Sequence, residues 1–372
     1  MSRIRVLVVD DSVVARMAVT EALAGDPQIE VVGTAANGRL ALAMVEQLAP
    51  DLVMMDIVMP VMDGIEAVRA LRRRGARLPI IMFTWISAHD AKATFNALAA
   101  GATDFVTKPA HMTSAAASIE QLAQELIPRI RALVATPKPA PSAPATPGAA
   151  APVGRSATVI RMATLPQGPA RPVRLVVMGA SVGGPMALFH IFTKMPRLPV
   201  PVVLVQHMPP IFTGQFAERL NHASESTVLE AVGGEELQPG HVYVAPGDHH
   251  LELVATAQGA CTVLHQGPPV NFSRPSLDPL FCSAARVFAG DLIAVVLTGM
   301  GSDGSGGCAA VVAAGGTVLV QDHASSLVWG MPGAVAQAGL AHRVLPLEEI
   351  GAAVLATIQR SGGGVASSGG PQ

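Results

Sequence analysis

In the second half of the chain, three residues suited to acyl-transfer chemistry each follow a hydrophobic run. Ser181 lies in the glycine-rich turn of "LVVMGASVGGP", His207 follows "VPVVLVQ", and Asp303 lies just beyond "DLIAVVLTG". A hydroxyl, an imidazole and a carboxylate supply a nucleophile, a base and a group to orient the base. The turn at Ser181 also admits another reading, a cradle for a dinucleotide phosphate. That cradle asks for G-x-G-x-x-G and an acid at the end of the next strand. Here serine takes the middle glycine's place, and the next run ends in Gln206 and His207. The turn does fit G-x-S-x-G, whose glycines permit a tight strand-to-helix turn beneath the serine. The chain order Ser, His, Asp nevertheless differs from the Ser, acid, His of α/β-hydrolases. The glycines of "LTGMGSDGSGG" leave backbone N–H groups, that of Met300 among them, free to serve an oxyanion.

The first half gathers acids in the same way. Asp10 and Asp11 close "IRVLVVDD", Asp56 closes "DLVMMD", Thr84 closes "LPIIMFT", and Lys108 with Pro109 closes "TDFVTKP". Carboxylates crowded into one crevice repel unless a cation holds them, and a hard ion such as Mg²⁺ suits oxygen ligands. A carboxylate so held can attack a phosphoryl donor, with Thr84 and Lys108 placed to bind the oxygens. A single strand-end Asp is more simply a helix cap; five suitable groups at four strand ends are not explained that way.

The elements that must position these residues follow from the pattern. Runs dense in Val, Ile and Leu alternate with segments of three- and four-residue apolar spacing, such as Ile119, Leu122, Leu126, Ile130 and Leu133. That alternation predicts parallel sheets covered by helices, with polar groups collecting beyond the strands' carboxyl ends. With 372 residues the chain is expected to hold two domains, 1–135 and 173–360. Between them 136–172 is Pro/Ala-rich and reads as a semi-rigid linker, within which "SATVIRMATL" has enough apolar residues to dock. Residues 361–372, "SGGGVASSGGPQ", read as a disordered tail.

A net charge of −2 gives no general attraction to nucleic acid or an anionic membrane. No run reaches the roughly 18 apolar residues of a membrane span, and Asp10 and Asp11 cut the N-terminal run too short for a signal peptide. Cys261, Cys282 and Cys308 lack metal-ligand spacing and read as reduced thiols of a cytoplasmic protein.

The motifs "VDDS", "MMDIVMPVMDG" and "FVTKP" resemble the receiver domains of bacterial response regulators. The resemblance implies a flavodoxin-like (βα)5 fold with Asp56 as phospho-acceptor. It makes Asp10, Asp11 and Asp56 the Mg²⁺ ligands, Thr84 the switch hydroxyl and Lys108 the phosphate-binding amine. "GASVGG", "QHMPPIFTGQFAERL", "VYVAPGDHHLEL", "GPPVNFSRPSLDPLF", "LTGMGSDG" and "WGMP" resemble the catalytic domain of chemotaxis protein-glutamate methylesterases. That resemblance implies a doubly wound, mostly parallel α/β domain with Ser181 as nucleophile, His207 as base, Asp303 as orienting acid and Met300 at the oxyanion hole. It further implies glutamate methyl-ester hydrolysis and glutamine deamidation on chemoreceptors, and a chemotaxis histidine kinase as phosphodonor. No cofactor is expected for hydrolysis, and a monomer is expected. The unphosphorylated receiver is expected to cover the Ser181 crevice.

Two departures stand out. Trp85 follows the switch residue where receivers carry something small, and reads either as surface packing or as a gate. Val182 replaces the threonine usual after the catalytic serine. Arg274 reads equally as a binder of substrate acids or as structural, and His249 and His250 as structural or pocket-lining.

Overall fold

A computed structural model describes residues 3–85, 87–108, 115–135, 162–163 and 171–362. Most of the expected linker and residues 363–372 of the expected tail lie outside the described residues. In the N-terminal domain, strands β1 (Ile4–Val9), β2 (Ile29–Ala35), β3 (Leu52–Asp56), β4 (Ile80–Thr84) and β5 (Asp104–Thr107) form one parallel sheet. Its order is β2-β1-β3-β4-β5. The connecting helices are α1 (Val13–Ala24), α2 (Gly38–Leu48), α3 (Gly64–Arg73), α4 (Ala88–Ala99) and α5 (Ala115–Ala135). Strand residues alternate between the two helical layers. Val6 and Val8 pack with Val19 and Leu23 of α1 and Leu126 of α5, whereas Leu7 and Val9 pack with Leu42, Val68 and Phe95 on the other face.

The C-terminal domain carries β6 (Leu175–Ala180), β7 (Val202–Gln206), β8 (Thr227–Glu230), β9 (His241–Val244), β10 (His250–Thr256), β11 (Gly259–His265), β12 (Leu292–Val296), β13 (Thr317–Gln321) and β14 (Arg343–Leu345). Seven of these make a wholly parallel sheet, β14-β13-β12-β6-β7-β9-β8, and β10–β11 is a separate antiparallel ribbon. Helices α6 (Gly184–Phe192), α7 (Pro210–Ala223) and α11 (Leu347–Gly362) cover one face. The other face is covered by α8 (Leu277–Phe288), α9 (Ser305–Ala313) and α10 (Met331–Gln337). The chain winds outward from β6 in both directions, so the crevice beyond β12, β6 and β7 is the point where strand order reverses and where such sheets place their sites.

Two boundary expectations change. Helix α11 continues through Ser361 and Gly362, because Ser361 Oγ accepts the Val173 N–H at 3.1 Å and ties the helix end to the start of the domain. Within the expected linker, the Ala163 N–H donates to Ala341 O at 2.8 Å, so part of "SATVIRMATL" is attached to the domain beside β14.

The two domains share apolar contacts. Phe105 stacks on Phe212 with ring centroids 4.8 Å apart, and Phe95 packs against Phe212 and Phe216. Arg219 donates to Asn96 Oδ1 at 2.9 Å. Val182 and Val328 join one buried cluster with Val106, Leu122 and Leu126, which gives the apolar side chain after Ser181 a partner across the domain boundary.

Candidate active site

Ser181 follows β6, His207 follows β7, and Asp303 lies seven residues beyond β12. These strands are neighbours in the order β12-β6-β7, so their ends meet in one crevice. The turn at Ser181 depends on Gly183 at φ +75°, a conformation that Cβ disfavours. It is fixed by bonds from the Ser181 N–H to Thr298 O (3.0 Å) and from Gly184 N–H to Ser181 O (2.8 Å). The 298–304 loop crosses close to the serine: a Cβ on Gly299 would lie 2.9 Å from that of Ser181 and 2.3 Å from Met331 Sδ. No acceptor for the Met300 N–H is found among the described residues.

Asp303 is buried and bonds His207 Nε2 at 2.8 Å. Its other partners come from the segment leading into α8. Ser276 Oγ donates to Oδ1 at 2.7 Å, the Leu277 N–H to Oδ2 at 2.8 Å, and Asn271 Nδ2 to Oδ1 at 2.9 Å. Burial pushes this carboxyl up, but the bonds from His207, Ser276 and Leu277 outweigh it and hold it at about 2. A carboxylate on Nε2 fixes the tautomer with its proton there and leaves Nδ1 as the basic nitrogen. Nδ1 faces Ser273 Oγ at 3.3 Å. Among the described residues no hydrogen bond joins Ser181 Oγ to His207, though both line one small cavity.

That cavity is also lined by Pro185, Gln206 and Pro209 and, from the N-terminal domain, by Asp104, Phe105, Val106, Thr107, Glu125 and Arg129, and it holds about 30 Å³. Such a space takes about one water, far less than an esterified glutamate side chain. In this arrangement the N-terminal domain fills the mouth of the crevice.

Sequence reasoning passed over Gln206, Asn271, Ser273 and Ser276. Gln206 Nε2 donates to the carbonyls of both Ser181 and His207, at 2.9 and 3.1 Å. The signal for the other three was the density of hydroxyl and amide groups in "NFSRPS", where Arg274 alone drew notice. Arg274 is structural: it pairs with Asp248 and donates to the Gly267 carbonyl at 2.9 Å. His250 is likewise structural, since its ring bonds Pro268 O and the Ser276 N–H.

In the N-terminal domain the five predicted groups do converge. Lys108 Nζ lies 2.7 Å from Asp10 Oδ2 and 3.0 Å from Asp56 Oδ1, and Thr84 is buried on the same cavity wall. Burial raises the Asp56 carboxyl to about 6, against the pull of Lys108 and with help from the Asp10 charge. One oxygen from each of Asp10, Asp11 and Asp56 lies within 4.8 Å of the others. Asp10 Oδ2 is buried, and although it faces the Lys108 ammonium it accepts no well-aligned hydrogen bond. Three converging hard carboxylate oxygens fit Mg²⁺. Trp85 is not packed away. It is 54% exposed, lines the cavity beside Asp56, and holds its ring 5.4 Å from Lys108 Nζ.

Two family models match the chain: the response regulator receiver domain over residues 6–120 and the CheB methylesterase over residues 176–354. A protein-glutamate methylesterase/protein-glutamine glutaminase of Nocardioides sp. is 52% identical over 97% of each chain. One of the same name from Trichodesmium erythraeum is 41% identical, over 96% of this chain and 100% of its own. The crystal structure of the Thermotoga maritima CheB methylesterase catalytic domain is 43% identical, covering 50% of this chain and 98% of its own with a TM-score of 0.49.

Proposed function

The chain belongs to the protein-glutamate methylesterase/protein-glutamine glutaminase family, and we propose that it hydrolyses glutamate methyl esters, and deamidates glutamines, on bacterial chemoreceptors through Ser181, His207 and Asp303. The observation that carries this reading is the His207–Asp303 pair, with Ser181 beside it at three adjacent strand ends.

His207 Nδ1 takes the Ser181 proton as Oγ attacks the ester carbonyl. The Met300 N–H is the candidate donor to the oxyanion, and one such donor is worth about 3 kcal/mol of barrier. Collapse breaks the acyl–oxygen bond of an ester or the acyl–nitrogen bond of an amide, and His207 gives its proton to the departing oxygen or nitrogen, releasing methanol or ammonia. Water, deprotonated by the same nitrogen, then cleaves the glutamyl-serine ester. Asp303 stays ionised throughout and stabilises the imidazolium. These steps need no cofactor.

Asp56 is the proposed phospho-acceptor, with a chemotaxis histidine kinase as donor. Mg²⁺ on Asp10, Asp11 and Asp56 would neutralise charge around the incoming phosphoryl group. Lys108 binds the phosphoryl oxygens and Thr84 turns toward them, which loosens the face of β5 and α5 that fills the crevice. The walls contributed by Phe105, Glu125 and Arg129 support that closed state. Among the described residues no helix is long and apolar enough to cross a membrane, and we place the protein in the cytoplasm.

The test is methanol release from methylated receptor membranes, with and without Mg²⁺ and a phosphodonor. Release should rise with the phosphodonor. Ser181→Ala should abolish it while phosphorylation of Asp56 continues; residual release by that variant would remove the serine from the mechanism.

A further inference from the structure

Between β11 and α8 the chain makes a two-residue hairpin, Val270-Asn271-Phe272-Ser273. Val270 and Ser273 exchange both backbone hydrogen bonds, at 3.0 and 3.1 Å. Its central residues have φ of +51° and +61°, the signature of a type I′ turn. Asparagine suits the first of these positions and glycine the second. The second is Phe272, a bulky side chain in a backbone region where Cβ is strained. The residue gains no burial from the fold in return: its relative exposure is 104%, the highest among the exposed large apolar residues that are described. A local rule broken with no packing in return points to a use outside the folded chain.

The neighbours of Phe272 say where that use lies. Asn271 bonds Asp303 Oδ1 and Asp278 Oδ2, and Ser273 Oγ faces His207 Nδ1. The turn is therefore pinned to both the acid and the base, and the Phe272 Cα lies about one Cα–Cα step from each anchoring residue. The N-terminal domain lines the cavity at Ser181 and His207, while Phe272 stays exposed.

We propose that Phe272 is the docking anchor for the receptor substrate, which is presented as a helix, and that it packs against an apolar side chain one helical turn from the reacting residue. This rests on the methylesterase reading and adds a specificity determinant to it. Residues three or four apart on a helix share a face, about 5–6 Å apart at Cβ. A ring carried on that turn therefore meets such a neighbour while the glutamyl group enters the crevice. The turn's backbone is fixed by the paired bonds of Val270 and Ser273 and by its anchors to Asp303 and His207, so little backbone freedom is lost on docking. Phe272 touches no reacting atom, and its effect falls on binding.

The experiment compares the full-length chain with Phe272→Gly and Phe272→Leu, in Mg²⁺ with a small acyl phosphate, on methylated receptor membranes. Glycine is the residue the turn prefers, so its Tm should equal or exceed that of the wild type. Its KM should rise at least about tenfold with kcat within about twofold, and leucine should restore most of the loss. Co-sedimentation of Ser181→Ala and Ser181→Ala/Phe272→Gly chains with the same membranes reads docking without turnover, and the double variant should pellet less. An unchanged KM, a fall in kcat alone, or equal sedimentation would overturn the anchor. A wild type that sediments in a Phe272-dependent way but releases no methanol would overturn the esterase reading and leave the anchor standing.

Discussion

If the N-terminal domain holds the crevice shut, weakening its grip without touching the catalytic domain should raise basal turnover. Phe105→Ala does this from the N-terminal side. The ring is 8% exposed and stacks on Phe212 at 4.8 Å with a 20° interplanar angle. Truncating a buried phenylalanine costs about 3–5 kcal/mol. Phe105 also packs within its own domain, against the cluster that includes Phe95 and Leu98. Assigning roughly half of the loss to the contact with Phe212 leaves about 2 kcal/mol, which shifts the closed-to-open ratio about 30-fold. Methanol release without phosphodonor should therefore rise toward 30-fold, bounded by the rate of the fully open enzyme. Release with phosphodonor should change little, because that state has already lost the contact. The assay is initial-rate methanol release from methylated membranes under both conditions, with Asp56 phosphorylation as the check that the domain is folded. A folded, phosphorylatable variant with wild-type basal turnover would refute the occlusion argument.

Two further outcomes follow from the site itself. Asp303 is held at about 2 against an ordinary 3.8, which amounts to about 2 kcal/mol of stability. The folded value lies below the unfolded one, so this contribution is full above about pH 4 and is lost as pH falls through about 2. Denaturant unfolding of wild type and Asp303→Asn should show a gap near neutral pH that closes through that window; a gap independent of pH would count against the carboxylate's role. Gly299→Ala places a methyl 2.9 Å from Ser181 Cβ, and the loop must move to admit it. Displacement near 1 Å costs about 10²-fold in rate, so kcat should fall strongly while phosphorylation of Asp56 is untouched. An unchanged kcat would mean the loop yields without moving the serine.

Much of this architecture was legible because its signals are local. Valine-rich runs ending in a polar residue identify buried parallel strands and their functional ends, and that located Asp10, Asp56, Lys108, Ser181 and His207 before any coordinates. What remained hidden depends on approach through space. Trp85 read either as surface packing or as a gate, since the choice depends on which neighbours it meets in space. Arg274 was ambiguous until Asp248 was seen beside it. Ser276 and Gln206 looked like ordinary polar residues, and their roles come from hydrogen bonds spanning 27 and 25 positions of sequence.

By itself, then, the sequence determined the strands, the helices and the chemical groups at their ends, because hydrophobic period and turn chemistry act over a few residues. Tertiary structure decided which nitrogen of His207 meets Asp303, how the segment 271–277 surrounds that carboxylate, and which wall of the crevice the N-terminal domain supplies. Those outcomes depend on distances between elements far apart in the chain, which no local preference encodes. The exposed ring of Phe272 belongs to the same class: its residue type is plain in the sequence, but its strained backbone and its place beside the base are properties of the folded chain alone.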